Sequence, residues 1–156
     1  MGVSSISACS LVSEVVRKAG RVRLRVAGTS MVPAMRPGDL VTVERAGMKE
    51  LVLGEIVVFA RSGRLVVHRV TGIVASAGFA KPGSESEPLL QTRGDCTRWK
   101  DPIVRSSELL GRVTQIERGG RCTQPPTTIG ITQRAVSRLL RISDRAARLY
   151  VRVSPF

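Results

Sequence analysis

Aromatic side chains are scarce in this sequence of 156 residues, which contains three phenylalanines, one tyrosine and one tryptophan. Proteins that bind single-stranded nucleic acid stack the bases on aromatic rings. We therefore expect no nucleic-acid partner, although the formal net charge of +13 favours anionic partners in general. An anionic membrane surface remains a candidate partner for this charge.

Cysteine and histidine are also few. The three cysteines, Cys9, Cys96 and Cys122, are widely spaced, and His68 is the one histidine. This set indicates neither a disulfide framework nor a zinc site, and unpaired cysteines suggest a reducing compartment. The composition does not exclude a site for a hard cation that is formed by carboxylates only. We predict no metal and no other cofactor.

Long apolar runs are absent as well. No stretch approaches the roughly 20 consecutive apolar residues that a membrane-spanning helix needs. The N-terminal residues have no basic region before their short apolar stretch, which makes them a poor secretory signal. We expect a cytoplasmic protein without a transmembrane segment or signal peptide, in peripheral contact with a membrane at most.

A lone serine, Ser30, stands between a strand-like run and a turn rich in proline and glycine. Residues 21–27 alternate charged and apolar side chains, which predicts a half-buried strand. Pro33 and Pro37 fix their φ angles, and Gly38 tolerates the positive φ of a tight turn. The loop should therefore be rigid, and a rigid loop can aim a hydroxyl as a nucleophile. The alternative is a structural serine in a turn.

The periodicity divides the chain into four parts. We predict an N-terminal helix within residues 1–20, a β domain over 21–118, a linker over 119–131 and a C-terminal helix over 132–153. The expected fold class is therefore mainly β. The predicted strands within the β domain are 21–27, 40–44, 56–60, 65–74, 89–93 and 108–117.

The predicted C-terminal helix is basic and amphipathic. Its arginines recur every three or four residues and so line one face: Arg134, Arg138, Arg141, Arg145, Arg148 and Arg152. One interpretation docks the apolar face on the β domain and leaves the arginines in solvent. The other places the helix on an anionic membrane or in the groove of a partner.

Three segments resemble the type I signal peptidases. Residues 28–39, Gly-x-Ser-Met-x-Pro-x-Met-x-x-Gly-Asp, resemble the first box of that family and of the related self-cleaving repressor proteases. Residues 66–70, Val-Val-His-Arg-Val, resemble the second box of the endoplasmic-reticulum and archaeal branch, where histidine replaces lysine. Residues 94–101 and 108–113 resemble the third box and its following strand. The resemblance implies a signal-peptidase-like β-barrel of coiled antiparallel sheets, in a form without the membrane anchor.

The resemblance also implies catalytic roles. Ser30 would be the nucleophile and His68 the general base. Asp101 would orient the imidazole, with Asp95 as the alternative. An ordinary imidazole titrates near pH ~6.5, so its neutral form can accept a proton at physiological pH.

The resemblance implies supporting roles for three residues around the nucleophile. Met31 would pack below it and Asp39 would hold the turn. Many signal peptidases have a hydroxyl two residues before the serine, where this chain has Gly28. The second oxyanion donor would therefore be a backbone N–H or the Thr29 hydroxyl.

The expected function is a serine endopeptidase of the signal peptidase I type that cleaves after small residues in an extended leader or signal segment. Its partner would be a peptide or precursor protein. Two alternatives stay open. One is a self-cleaving regulatory protease, for which a lysine base and an N-terminal DNA-binding domain would be expected. The other is a non-catalytic basic module that binds anionic membrane or nucleic acid.

Overall fold

The structure, a computed structural model, describes residues 3–74, 87–128, 130 and 135–137. This part of the chain is mainly β, which confirms the predicted fold class. Its helix α1 spans Val3–Ala19, and a short 3₁₀ turn spans Met48–Glu50. The strands are β1 (Arg21–Arg25), β2 (Leu40–Glu44), β3 (Ile56–Arg61), β4 (Arg64–Val74), β5 (Leu89–Arg93), β6 (Leu109–Arg118) and β7 (Arg121–Thr123).

All the strand pairs are antiparallel, and the strands form one sheet in the order β1-β2-β6-β3-β4-β5, with β7 beside β6. Tight turns join two of the pairs. Ser62 and Gly63 connect β3 to β4 with φ angles of 51° and 71°, and Gly119 and Gly120 connect β6 to β7 with 53° and 78°. Positive φ at both central residues suits the twist of a two-residue hairpin. Part of the segment predicted as a linker, residues 119–131, thus continues the sheet.

Strand β3 lies between two apolar clusters. Ile56 and Val58 belong to one cluster, whereas Val57 and Phe59 belong to the other, and all four are almost fully buried. Because successive side chains of a strand point to opposite faces, this continuous apolar run packs on both sides of the sheet. The neighbouring strand β4, which carries His68, is therefore held against a rigid support.

The predicted C-terminal helix lies outside the described residues apart from 135–137, which are helical. Residues 75–86, most of the stretch between β4 and β5, also lie outside them. None of the helices in the described part of the chain has the length and apolar character needed to cross a bilayer.

Candidate active site

Ser30 lies in a loop that is closed by a buried carboxylate. The side chain of Asp39 is 4% exposed, and its Oδ2 accepts a hydrogen bond from the Arg36 N–H at 2.8 Å. Arg118 on β6 donates to both oxygens of the same carboxylate, at 2.8 and 2.6 Å. Asp39 therefore ties the loop to the sheet, a contact that suits the structural role expected for it.

The two residues on either side of Ser30 have different surroundings. Met31 is buried in the apolar cluster formed by β2, β3 and β6. Thr29 is half-buried, and its carbonyl oxygen accepts a hydrogen bond from the Val32 N–H at 3.1 Å. The core thus fixes the chain on one side of Ser30, and a turn fixes it on the other.

His68 and Asp101 are in direct contact although 33 residues separate them. His68 Nδ1 lies 2.6 Å from Asp101 Oδ2, and the Thr92 hydroxyl donates to the same oxygen at 2.7 Å. Burial raises the pKa of Asp101, but the hydrogen bonds from His68 and Thr92 outweigh it and leave the pKa below its usual value. The carboxylate is therefore ionised at neutral pH and accepts from Nδ1–H.

Gly94 brings the serine loop and the imidazole together. A Cβ atom on Gly94 would lie 2.8 Å from the Ser30 carbonyl oxygen and 2.9 Å from His68 Nε2. Because both atoms border the same point, the Ser30 carbonyl oxygen and His68 Nε2 lie close to each other. The Cys96 N–H also donates to the Ser30 carbonyl at 2.8 Å. Ser30 and His68 are thus neighbours, although no hydrogen bond joins the Ser30 hydroxyl to the imidazole in this structure.

Asp95 is engaged in a buried ion pair with Arg69. Both side chains are almost fully buried, and the Arg69 Nε and Nη2 groups donate to the two carboxylate oxygens at 2.8 and 2.7 Å. Arg69 Nη1 also donates to the carbonyls of Gly54 and Pro126, at 2.7 and 2.5 Å. Of the two candidate aspartates, Asp101 is therefore the one placed on His68 Nδ1, and Asp95 braces the loop beside it.

A second arginine fixes the segment that follows Asp101. Arg61 donates to both oxygens of Glu108 at 2.7 and 2.8 Å, and to the carbonyls of Pro102 and Ile103 at 2.9 Å each. The hydrogen bond from Arg61 lowers the pKa of Glu108, and the same bond raises the pKa of Arg61. This clamp holds the chain on the C-terminal side of Asp101 against the end of β3.

Sequence reasoning missed Thr92 and the two arginine–carboxylate pairs, Arg61–Glu108 and Arg69–Asp95. Arg69 carried a signal, because a charged residue inside a β-branched strand requires a buried partner. Thr92 carried none, since a threonine in a strand is ordinary. Within the described residues, no three His, Cys, Asp or Glu side chains cluster as ligands for a metal ion.

Residues 4–76 match the model of the Peptidase S24-like family, which supports a place for this chain in the S24/S26 peptidase superfamily. The matched region contains Ser30 and His68 and ends before Asp101. No curated protein matches the chain.

Proposed function

From the premise of a peptidase S24-like region, we propose that this chain is a serine endopeptidase of the signal peptidase I type, with Ser30 as nucleophile, His68 as general base and Asp101 as the group that orients the base. The observation that carries the proposal is the 2.6 Å contact between His68 Nδ1 and Asp101 Oδ2, with His68 Nε2 beside the Ser30 backbone. A serine needs such a base within reach to become a nucleophile.

The tautomer of His68 follows from its partner. An ionised Asp101 accepts a hydrogen bond from Nδ1–H, so Nε2 is left without a proton and faces the serine loop. Nε2 takes the Ser30 proton as the hydroxyl attacks the scissile carbonyl. The imidazolium then gives that proton to the leaving amine, and Asp101 stabilises the positive charge in between.

The developing oxyanion has a natural donor in the Ser30 backbone N–H, which makes no hydrogen bond within the described residues. The backbone just before Ser30 offers an unpaired edge to which a substrate could bind. Ala27 and Gly28 are exposed, and their backbone groups make no hydrogen bonds to other described residues. An extended peptide can pair with this edge as an added strand, which brings its scissile bond to Ser30. The preference for small residues before that bond rests on the family resemblance.

The test compares wild type with Ser30→Ala and Asp101→Asn on a fluorogenic peptide that contains an Ala-x-Ala site. We expect cleavage after the second alanine by wild type and none by Ser30→Ala. Asp101→Asn should keep the fold and lose about 10²–10⁴-fold in kcat, because the base loses its orienting charge. Equal, negligible turnover by all three proteins would instead favour a non-catalytic binding module.

Self-cleavage is the second candidate function, because the matched family model is that of the S24-like peptidases. A self-cleaving chain would cut itself at a rate independent of its concentration, since the reaction is intramolecular. Purified wild type would then yield two fragments on incubation, while Ser30→Ala would stay intact. We favour cleavage of a separate substrate, because position 68 carries histidine where this class is expected to use lysine.

We also propose a cytoplasmic location with peripheral membrane contact through the arginines of residues 134–152. Binding to anionic vesicles should weaken as salt rises and should disappear on truncation at residue 130. Unchanged binding by the truncated chain would show that the membrane contact lies in the β domain instead.

A further inference from the structure

The loop of residues 94–101 starts and ends at the candidate site. Gly94 borders His68 Nε2, and Asp101 contacts Nδ1 of the same ring. Between these ends, residues 98–100 have the sequence Arg-Trp-Lys, and all three are exposed. We call these three residues the loop apex. Lys100 directly precedes Asp101, so the exposed apex adjoins the residue that contacts His68 Nδ1.

The aromatic residue of the loop apex contacts the arginine that precedes it. Trp99 is 75% exposed, and the Arg98 guanidinium lies over its ring at 5.2 Å from the centroid. Thr97 holds the base of the apex, because its hydroxyl bonds the carbonyls of Gly94 and Trp99 at 3.0 and 3.3 Å. Tryptophan and arginine dominate the binding energy of many interfaces. A pre-arranged Arg-Trp pair is therefore a ready contact surface.

The charge of the loop apex is uncompensated. The other cations beside the site each have a carboxylate, since the half-buried Arg61 pairs with Glu108 and the buried Arg69 pairs with Asp95. Arg98 and the neighbouring Lys100, by contrast, make no salt bridge within the part of the chain that the structure describes. Two positive charges thus stand free at the rim of the site, where they attract anionic groups.

We infer that the loop apex selects substrates that carry acidic side chains close to the scissile bond. The inference rests on the proposed peptidase function and names its substrate class. Consecutive Cα atoms are about 3.8 Å apart, so Trp99 lies within roughly 8 Å of Asp101 along the chain. An extended peptide advances about 3.3 Å per residue. We therefore expect the acidic side chains in the few residues on one side of the cleavage point, where they would pair with Arg98 and Lys100.

The binding experiment uses full-length Ser30→Ala protein, in which Trp99 is the single tryptophan and its fluorescence reports the loop apex alone. Two peptides share an Ala-x-Ala core and differ only in flanking glutamates or lysines. We expect the glutamate peptide to bind about tenfold tighter at low salt and to shift Trp99 emission, with the preference shrinking as salt rises.

The matched variants remove the same amount of charge at different places. Arg98→Gln with Lys100→Gln should abolish the preference for the glutamate peptide. Arg17→Gln with Arg21→Gln should retain it, because these exposed arginines lie on α1 and at the start of β1, away from the serine loop. Equal binding of both peptides, or equal loss of preference in the two double variants, would overturn the inference.

Two further outcomes separate this inference from its premise. If wild type cleaves the glutamate and lysine peptides equally well, the peptidase function stands and the acidic preference is wrong. If neither peptide is bound or cut, both the peptidase function and the inference about acidic substrates are wrong. A blue shift of Trp99 with vesicles of phosphatidylglycerol and phosphatidylcholine, but not with peptide, would show that the loop apex meets a membrane instead.

Discussion

Replacing Gly94 with alanine should disable the site while the protein as a whole stays folded. The added Cβ would lie 2.8 Å from the Ser30 carbonyl oxygen and 2.9 Å from both His68 Nε2 and Thr97 Cγ2, closer than Cβ contacts in proteins allow. A shift of the imidazole relieves only one of these contacts, so the backbone of Gly94 or Ser30 must move as well. Overpacking of this kind costs about 1–3 kcal/mol of unfolding free energy.

The larger effect of Gly94→Ala should be on catalysis. A well-placed general base contributes about 10²–10⁴-fold, and its displacement should remove most of that factor. We therefore expect kcat on the Ala-x-Ala peptide to fall about 10²–10³-fold, while urea unfolding shows a folded protein. Gly130→Ala is the matched control, because a Cβ there meets no described atom within 4 Å. A folded Gly94→Ala protein whose kcat stays within about twofold of wild type would refute the reasoning.

Three further predictions concern the surroundings of the site. Gly28→Ser adds a side chain into open space two residues before Ser30. Its hydroxyl should therefore raise kcat about tenfold over Gly28→Ala, and an equal kcat for the two variants would show that position 28 does not contribute to the oxyanion site. The lowered pKa of Glu108 stabilises the fold above the usual glutamate pKa, and this stability is lost as pH falls through the lowered value. Urea midpoints measured from pH 7 to pH 3 should therefore fall less steeply for Glu108→Gln than for wild type, and parallel curves would contradict this. Arg61→Lys should keep the charge but lose the paired donors, so kcat should drop several-fold and the Nδ1–H resonance of the one histidine should broaden in the proton NMR spectrum; an unchanged kcat and resonance would show that the clamp does not position Asp101.

Local pattern was enough to predict most strands. The alternation along β1 and the β-branched run of β4 each indicate a strand, because the burial of a strand's two faces is visible in the order of its own residues. The hairpin at Gly119 and Gly120 was predicted as a linker, since paired glycines are typical of both. Only the partner strand decides between them.

The site was harder to predict where it depends on long-range register. The sequence left Asp95 and Asp101 as alternatives, and their assignment depends on how β4 pairs with β5, which includes an irregularity between Val70 and Gly72. The same register places Thr92 on the Asp101 carboxylate. No local periodicity encodes contacts of this kind, because each one joins a strand residue to the loop that follows β5.

The most direct test of a serine activated by His68 is to trap the attack itself. A peptide boronic acid that ends in alanine is added to tag-free protein labelled with ¹⁵N-histidine, in which every histidine signal comes from His68. We predict tetrahedral boron on Ser30 and an imidazolium with a strongly downfield Nδ1–H, both absent in Ser30→Ala. Trigonal boron, an unchanged histidine spectrum and equal binding by Ser30→Ala would contradict it.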